Sequence, residues 1–181
     1  KEYDSRGNVT RVSYFDAEGN PTLHKDGNAG WIAEYDERGR EIRNVWIGVD
    51  GKPTLCKYGY AEYRKEYDSR GNVTKKSYYD VLGNPVLDAE NGVAGFGWEY
   101  DERGNKTKEY YFDGKGCLIL DKAGVAGGCI QYDAHGRPVK IYAIGIDGKM
   151  VLRAEGVAGW SMVYNAKGLV VSRRYFDVNG N

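Results

Sequence analysis

The side chains best suited to nucleophilic or metal chemistry are three cysteines, Cys56, Cys117 and Cys129, and two histidines, His24 and His135. A structural zinc site needs four such ligands at close, patterned spacing. These five stand far apart, and the cysteines occupy three different registers of the repeat described below. They read as isolated thiols filling strand positions, so neither a disulfide framework nor a metal site is expected. A Cys–His nucleophile pair needs its two groups within hydrogen-bond reach, and nothing local or periodic places them so. No catalytic residue, cofactor or metal ligand is assigned.

The aspartates pose a different question. Asp16-Ala17-Glu18-Gly19 and its kin superficially resemble calcium loops. A calcium ion takes six or more oxygens, whereas each of these segments offers one or two carboxylates. Where Gly48 and Gly145 replace the leading Asp, even that one is lost. Turn capping is the expected role. A basic row, Arg6, Arg38, Arg70, Arg103, His135 and Lys167, has the spacing to follow a polyanion. Acidic residues interleave with it, however, and Lys plus Arg equals Asp plus Glu at 26 each. A solvated face with cross-strand ion pairs is expected there. Zero net charge leaves no field that would steer the chain to nucleic acid or an anionic membrane. No apolar run approaches the ~18 residues of a membrane span, so neither nucleic-acid binding nor membrane insertion is expected.

Aromatic residues make up 13% of the chain, and 16 of them are Tyr. Two registers concentrate them. Trp31, Tyr63, Phe96 and Trp160 fill one, interrupted by Gly128; Tyr14, Trp46, Tyr78, Tyr111 and Tyr175 fill the other, interrupted by Ala143. One register is expected in the core. The other, where exposed, would form a platform for sugar rings or peptides. Trp31, Tyr63, Phe96, Trp160, Trp46 and Tyr78 are the candidate ligand-binding residues.

What must position these side chains is a tandem repeat. Lys1–Thr10 and Lys65–Thr74 are identical, KEYDSRGNVT, at a spacing of 64 residues, and half that spacing is the unit. A Tyr recurs at 3, 35, 67, 100, 132 and 164. Asp follows it at Asp4, Asp36, Asp68, Asp101 and Asp133, with Asn165 in the last copy, and Gly comes three residues later at Gly7, Gly39, Gly71, Gly104, Gly136 and Gly168. A second turn block carries Gly19, Gly51, Gly83, Gly116, Gly148 and Gly180. A Leu follows at Leu23, Leu55, Leu87, Leu120 and Leu152, and a Gly-x-Ala block closes each full unit. The copies divide the chain as 1–33, 34–65, 66–98, 99–130, 131–162 and an incomplete 163–181. The array is expected to be a segment of a longer protein, with flanking domains of that chain as its neighbours.

Asp leading a turn accepts backbone bonds two residues on, and Gly three residues later supplies the left-handed residue of a hairpin bulge. Between turns the pattern alternates. Trp31, Ala33 and Tyr35 share one face, as do Phe96, Trp98 and Tyr100; Glu34, Glu66 and Glu99 mark the other. A second strand carries Thr10, Ile42, Thr74, Thr107, Val139 and Val171, all β-branched. It ends in adjacent apolar pairs such as Trp46-Ile47, so either both faces are covered or a bulge rephases the strand. A short third strand is expected at segments such as Pro21-Thr22-Leu23. The fold class is therefore all-β: three-stranded repeats of about 32 residues that cannot bury their own faces and must stack. Stacking predicts Tyr, Leu and Ala ladders inside. An open curled sheet or β-solenoid is expected, with a closed shell or propeller-like ring as the alternative.

The Tyr3-Asp4-Ser5-Arg6-Gly7-Asn8 block and its five echoes resemble the YD repeats of bacterial RHS proteins. The resemblance covers about a third of each unit. The Gly-x-Ala block is similar, more weakly, to bacterial WG-type β-repeats. Both imply a bacterial, cell-surface or secreted repeat region without catalytic residues. The period here is longer than that of typical YD repeats, and the Leu…Gly-x-Ala block is additional. The expected function is a non-catalytic scaffold or spacer in a larger surface or secreted protein. The alternative is a module that binds cell-wall glycan or another protein through an aromatic ladder.

Overall fold

The structure is a computed structural model describing residues 1–181. It is all-β, without a helix, and its strands hydrogen-bond in sequence order from β1 to β12, so the sheet stays open with β1 and β12 as its edges. Two compact units divide the chain: Lys1–Gly95 with Asp113–Lys115, and Phe96–Phe112 with Gly116–Asn181. The first holds β1 (Glu2–Tyr3), β2 (Val9–Ser13), β3 (Gly30–Tyr35), β4 (Glu41–Ile47), β5 (Glu62–Tyr67) and β6 (Val73–Tyr79). In the second are β7 (Gly95–Tyr100, less its first residue), β8 (Lys106–Phe112), β9 (Gly127–Tyr132), β10 (Pro138–Ile144), β11 (Gly159–Tyr164) and β12 (Val170–Phe176).

Each Tyr-Asp turn closes one antiparallel hairpin, such as β3–β4, whose first strand begins at the end of the preceding copy. The expected third strand is a single bridging residue: Pro21 opposite Phe15, Pro53 opposite Ile47, Pro85 opposite Tyr79, Leu118 opposite Phe112 and Met150 opposite Ile144. Proline cannot donate to a ladder, and the chain turns away again at once. The next turn has the same form as the first two. His24 N donates to Asn28 O and Gly27 N to His24 O; Cys56 and Tyr60, Asp121 and Val125, and Arg153 and Val157 repeat the first of these bonds.

This third turn decides what is buried. The Ala of Gly-x-Ala is inside throughout: Ala29, Ala61, Ala94, Ala126 and Ala158 are all at most 3% exposed. So is the variable residue before it in most copies, including Asn28, Tyr60, Val93 and Val125. Full burial of a valine contributes about 1.5 kcal/mol or more. The Leu ladder expected inside is outside: Leu23, Leu55, Leu87, Leu120 and Leu152 are 43–58% exposed. With the third strand reduced to one residue, strand alternation no longer aims the Leu inward, and the Gly-x-Ala residues take the core position.

The adjacent apolar pairs cover both faces. Trp46 lies opposite Trp31, while Ile47 lies opposite Gly30 on the other face and is 2% exposed. Ile144, Phe112 and Phe176 are buried in the same way. Register shifts do occur, but at the other end of the hairpin, between Glu34 and Tyr35, Glu66 and Tyr67, and Val163 and Tyr164.

Candidate functional site

The Tyr-Asp-x-Arg-Gly segment holds each hairpin to its neighbours. Asp4 Oδ1 accepts from the backbone N–H of Arg6 and of Asn8, and its Oδ2 accepts from the Asn8 amide. Asp36, Asp68, Asp101 and Asp133 bond the second and fourth residues after them in the same way. Gly7, Gly39, Gly71, Gly104 and Gly136 follow with φ between 75° and 95°, the left-handed region open to glycine. The aspartates are thus occupied in their own turns, and no group of three or more His, Cys, Asp or Glu side chains gathers where it could hold a metal. Bonds donated by the residue four places on keep these carboxyls below their usual range, that of Asp133 at about 2.

The Tyr reaches backward. Tyr35 donates its hydroxyl to Val9 O, Tyr67 to Glu41 O, Tyr132 to Lys106 O and Tyr164 to Pro138 O, at 2.7–2.8 Å and always 26 residues upstream. The Arg reaches forward. Arg6 donates to Glu37 O, Arg38 to Ser69 O and Arg103 to Ala134 O, always 31 residues downstream. The basic row is exposed, as expected of a solvated face, and at these positions it also staples to the next copy's turn. A guanidinium presents several donors in a fixed fork, which suits it to a carbonyl across a gap. Within the row Arg70 pairs with Asp68 at 3.8 Å; closer ion pairs lie on the strands, where Arg43 joins Glu34 and Glu62 at 2.6 Å each and Lys108 meets Glu99 at 3.3 Å.

The two aromatic registers prove to be one face. Trp31 lies directly opposite Trp46, Tyr63 opposite Tyr78 and Trp160 opposite Tyr175. Phe96 meets Tyr111 edge-on, with ring centroids 5.2 Å apart. Residues that look like alternative ladders in sequence are cross-strand partners, because the hairpin turn brings both strands' aromatics to the same side. Tyr78 is buried, Trp31, Trp46, Tyr63, Phe96 and Trp160 are half-buried, and Tyr175 on the edge strand is 55% exposed. Third-turn residues cover part of this face: Tyr60 stacks on Tyr78 at 4.4 Å, and His24 lies against Tyr14 at 5.4 Å. Of the cysteines, Cys56 is buried in a third turn and Cys117 is exposed.

Polar groups also occupy the aromatic face, and the sequence reading did not find them. In the first unit Tyr63 donates its hydroxyl to Glu41 Oε1 at 2.8 Å, and Lys65 Nζ meets the same oxygen at 2.7 Å. Lys76 lies opposite Lys65, its ammonium 4.5 Å from the Tyr63 ring centre and 5.1 Å from that of Tyr78. Burial, and then the Lys65 charge, pull the Lys76 amine below its usual range. In the second unit the Trp98 indole N–H donates to Glu109 Oε2 at 2.6 Å, Lys106 reaches the same oxygen, and Tyr111 donates to Glu109 Oε1. Burial pushes the Glu109 carboxyl up, but the bonds from Lys106 and Trp98 outweigh it and leave it lowered. The signal available in sequence was the variable register Val12, Asn44, Lys76, Glu109, Ile141 and Arg173, which changes chemistry from copy to copy. No protein-family model matches the chain, and no curated protein matches it.

Proposed function

We propose that this chain is a non-catalytic repeat scaffold, a spacer within a larger bacterial surface or secreted protein. The observation that carries the reading is the reciprocal stapling of copies, with Tyr hydroxyls donating backward and Arg guanidinium groups forward at constant offsets. The motif that looks most like a site is spent on joining one copy to the next, so length is what the motif supplies. The likeness of that motif to YD repeats supports a bacterial, extracellular setting with flanking domains as partners. Catalysis needs a unique constellation of groups, whereas this motif distributes the same groups along the array. Inserting one extra copy, residues 34–65, after Lys65 tests the reading. The lengthened chain is expected to unfold cooperatively at a urea midpoint equal to or above the parent's. A lower midpoint or a non-cooperative transition would refute it.

A second reading has its own observation. Both aromatic registers share one half-buried face, which suits it to hold a glycan or a protein partner. In this reading each unit carries its own platform, with Trp31, Trp46 and Tyr63 in the first and Phe96 and Trp160 in the second.

A further inference from the structure

One leucine per full copy is constant in type and stands exposed: Leu23, Leu55 and Leu87 in the first unit, Leu120 and Leu152 in the second. Single apolar residues scattered on a surface are ordinary, whereas an aligned set marks a contact surface. In the first unit the set is aligned, because the third turns that follow the leucines bond directly to one another. Lys57 N donates to Asp26 O at 2.9 Å, and Ala89 N to Tyr58 O at 2.7 Å. Each leucine sits immediately before its turn and two residues after the bridging Pro21, Pro53 or Pro85. The two ends of this row carry opposite charges. Lys25, in the first of the three turns, and Glu90, in the last, are both exposed, and neither side chain forms an ion pair or hydrogen bond within the chain. The other charges of these turns are engaged: Lys57 pairs with Asp26 at 2.6 Å, His24 stands against the same Asp26 at 3.2 Å, and Asp88 is buried, accepting from Asn91 and Val93 of its own turn.

We propose that this row is a self-docking surface. Two molecules of the chain meet through their first units about a two-fold axis at Leu55, with Leu23 of one protomer against Leu87 of its partner and Lys25 against Glu90 at both ends. A row of like residues at a regular interval matches itself when reversed, as an isologous contact requires. Charge fixes the sense. Reversed, the row sets each Lys25 beside a Glu90; run in parallel, it would set Lys25 on Lys25 and Glu90 on Glu90, and like charges across a contact oppose it. A shift by one copy would leave a leucine uncovered at each end. Three partly exposed leucines cover far less than the roughly 800 Å² per partner of a standard interface, so the contact is weak and forms at high local concentration. Self-docking is separate from the joining of copies along the chain, since it uses none of the Tyr and Arg staples.

Sedimentation equilibrium of the intact chain, from low micromolar to near-millimolar concentration, tests this. A concentration-dependent dimer is expected. Leu55→Asp, at the axis, should weaken it by about tenfold or more, as loss of a central anchor does. Lys25→Glu and Glu90→Lys should each dimerise more weakly than the parent, because each sets like charges together at both ends. Mixed in equal amounts, these two variants should pair with one another as strongly as the parent pairs with itself, since opposite charges then meet again at both ends. A monomer at every concentration overturns the proposal. So does a dimer that Leu55→Asp leaves intact, which would use another surface. Charge variants that dimerise as the parent does, or whose mixture associates no better than either alone, overturn the antiparallel arrangement and the proposal with it. If Leu55→Asp fails to fold, the charge variants decide by themselves, both sites being exposed turn positions.

Discussion

Tyr67 and Tyr3 occupy the same place in the same motif, yet Tyr67 donates to Glu41 O at 2.7 Å while Tyr3 stands 59% exposed. Replacing Tyr67 with Phe removes only that bond and is expected to cost about 1 kcal/mol in urea unfolding. Tyr3→Phe should change stability by less than about 0.5 kcal/mol. Equal effects would mean the hydroxyl does not join copies. The turn aspartates predict an acid sensitivity of definite sign. A carboxyl held below its unfolded value of about 3.9 contributes stability above that pH and loses it as pH falls towards the folded value. For Asp133, held at about 2, the loss falls between about pH 4 and pH 2. Asn165 already performs the capping with an amide oxygen, accepting from Lys167 N and Leu169 N. Asp133→Asn should therefore fold, and its urea midpoint should drop less than the parent's on acidification; parallel pH profiles would contradict this. Lys76→Met should raise the unfolding free energy by about 0.2–1 kcal/mol, since a like-charged pair is removed, and a fall would show that Lys76 stabilises the sheet. The capping role of Asp was legible in sequence because it acts on its own turn. The Arg staple was not, since a bond to a backbone carbonyl 31 residues away leaves no complementary residue type to read.

Gly124 in a third turn and Gly127 at the start of β9 both have positive φ, +78 and +156, but only Gly127 is closely approached by its neighbour. Gly124 has φ +78 with open space where a Cβ would stand, whereas a Cβ on Gly127 would lie 2.0 Å from Glu109 O. Gly124→Ala should cost about 1–2 kcal/mol for the left-handed backbone alone. Gly127→Ala should cost more, because to its own strained φ of +156 is added the separation of β8 and β9 needed to admit the methyl, and a smaller effect would refute the close packing of these strands. The small residue of Gly-x-Ala was readable because it is Ala in every full copy. Its neighbour was not, because Asn28, Tyr60 and Val93 share burial but not type. The Leu position misled for the opposite reason: its identity is constant, and the strand expected to aim it inward is only a bridge. Likewise the two aromatic registers were visible, but their merger into one face depends on a pairing register that β-bulges beside the turn adjust.

Within each unit the hairpins are joined by the same devices, namely antiparallel pairing of neighbouring strands, Tyr to the copy before and Arg to the copy after. A hairpin of this size is marginal in isolation, so stability should pass between neighbours and decay with distance along the array. The all-β class, the period and the turns were legible because each is written into every copy. The like-charged pair of Lys65 and Lys76 was not, because it occurs at one hairpin alone and depends on which strands face each other. Amide hydrogen exchange on the parent chain and on Tyr67→Phe tests this coupling most directly. Protection is predicted to fall together in β4 and β5, on both sides of the lost bond, and to stay unchanged in β11 and β12. Loss confined to β5 and β6, with β4 untouched, would show that each hairpin stands alone and would contradict the account.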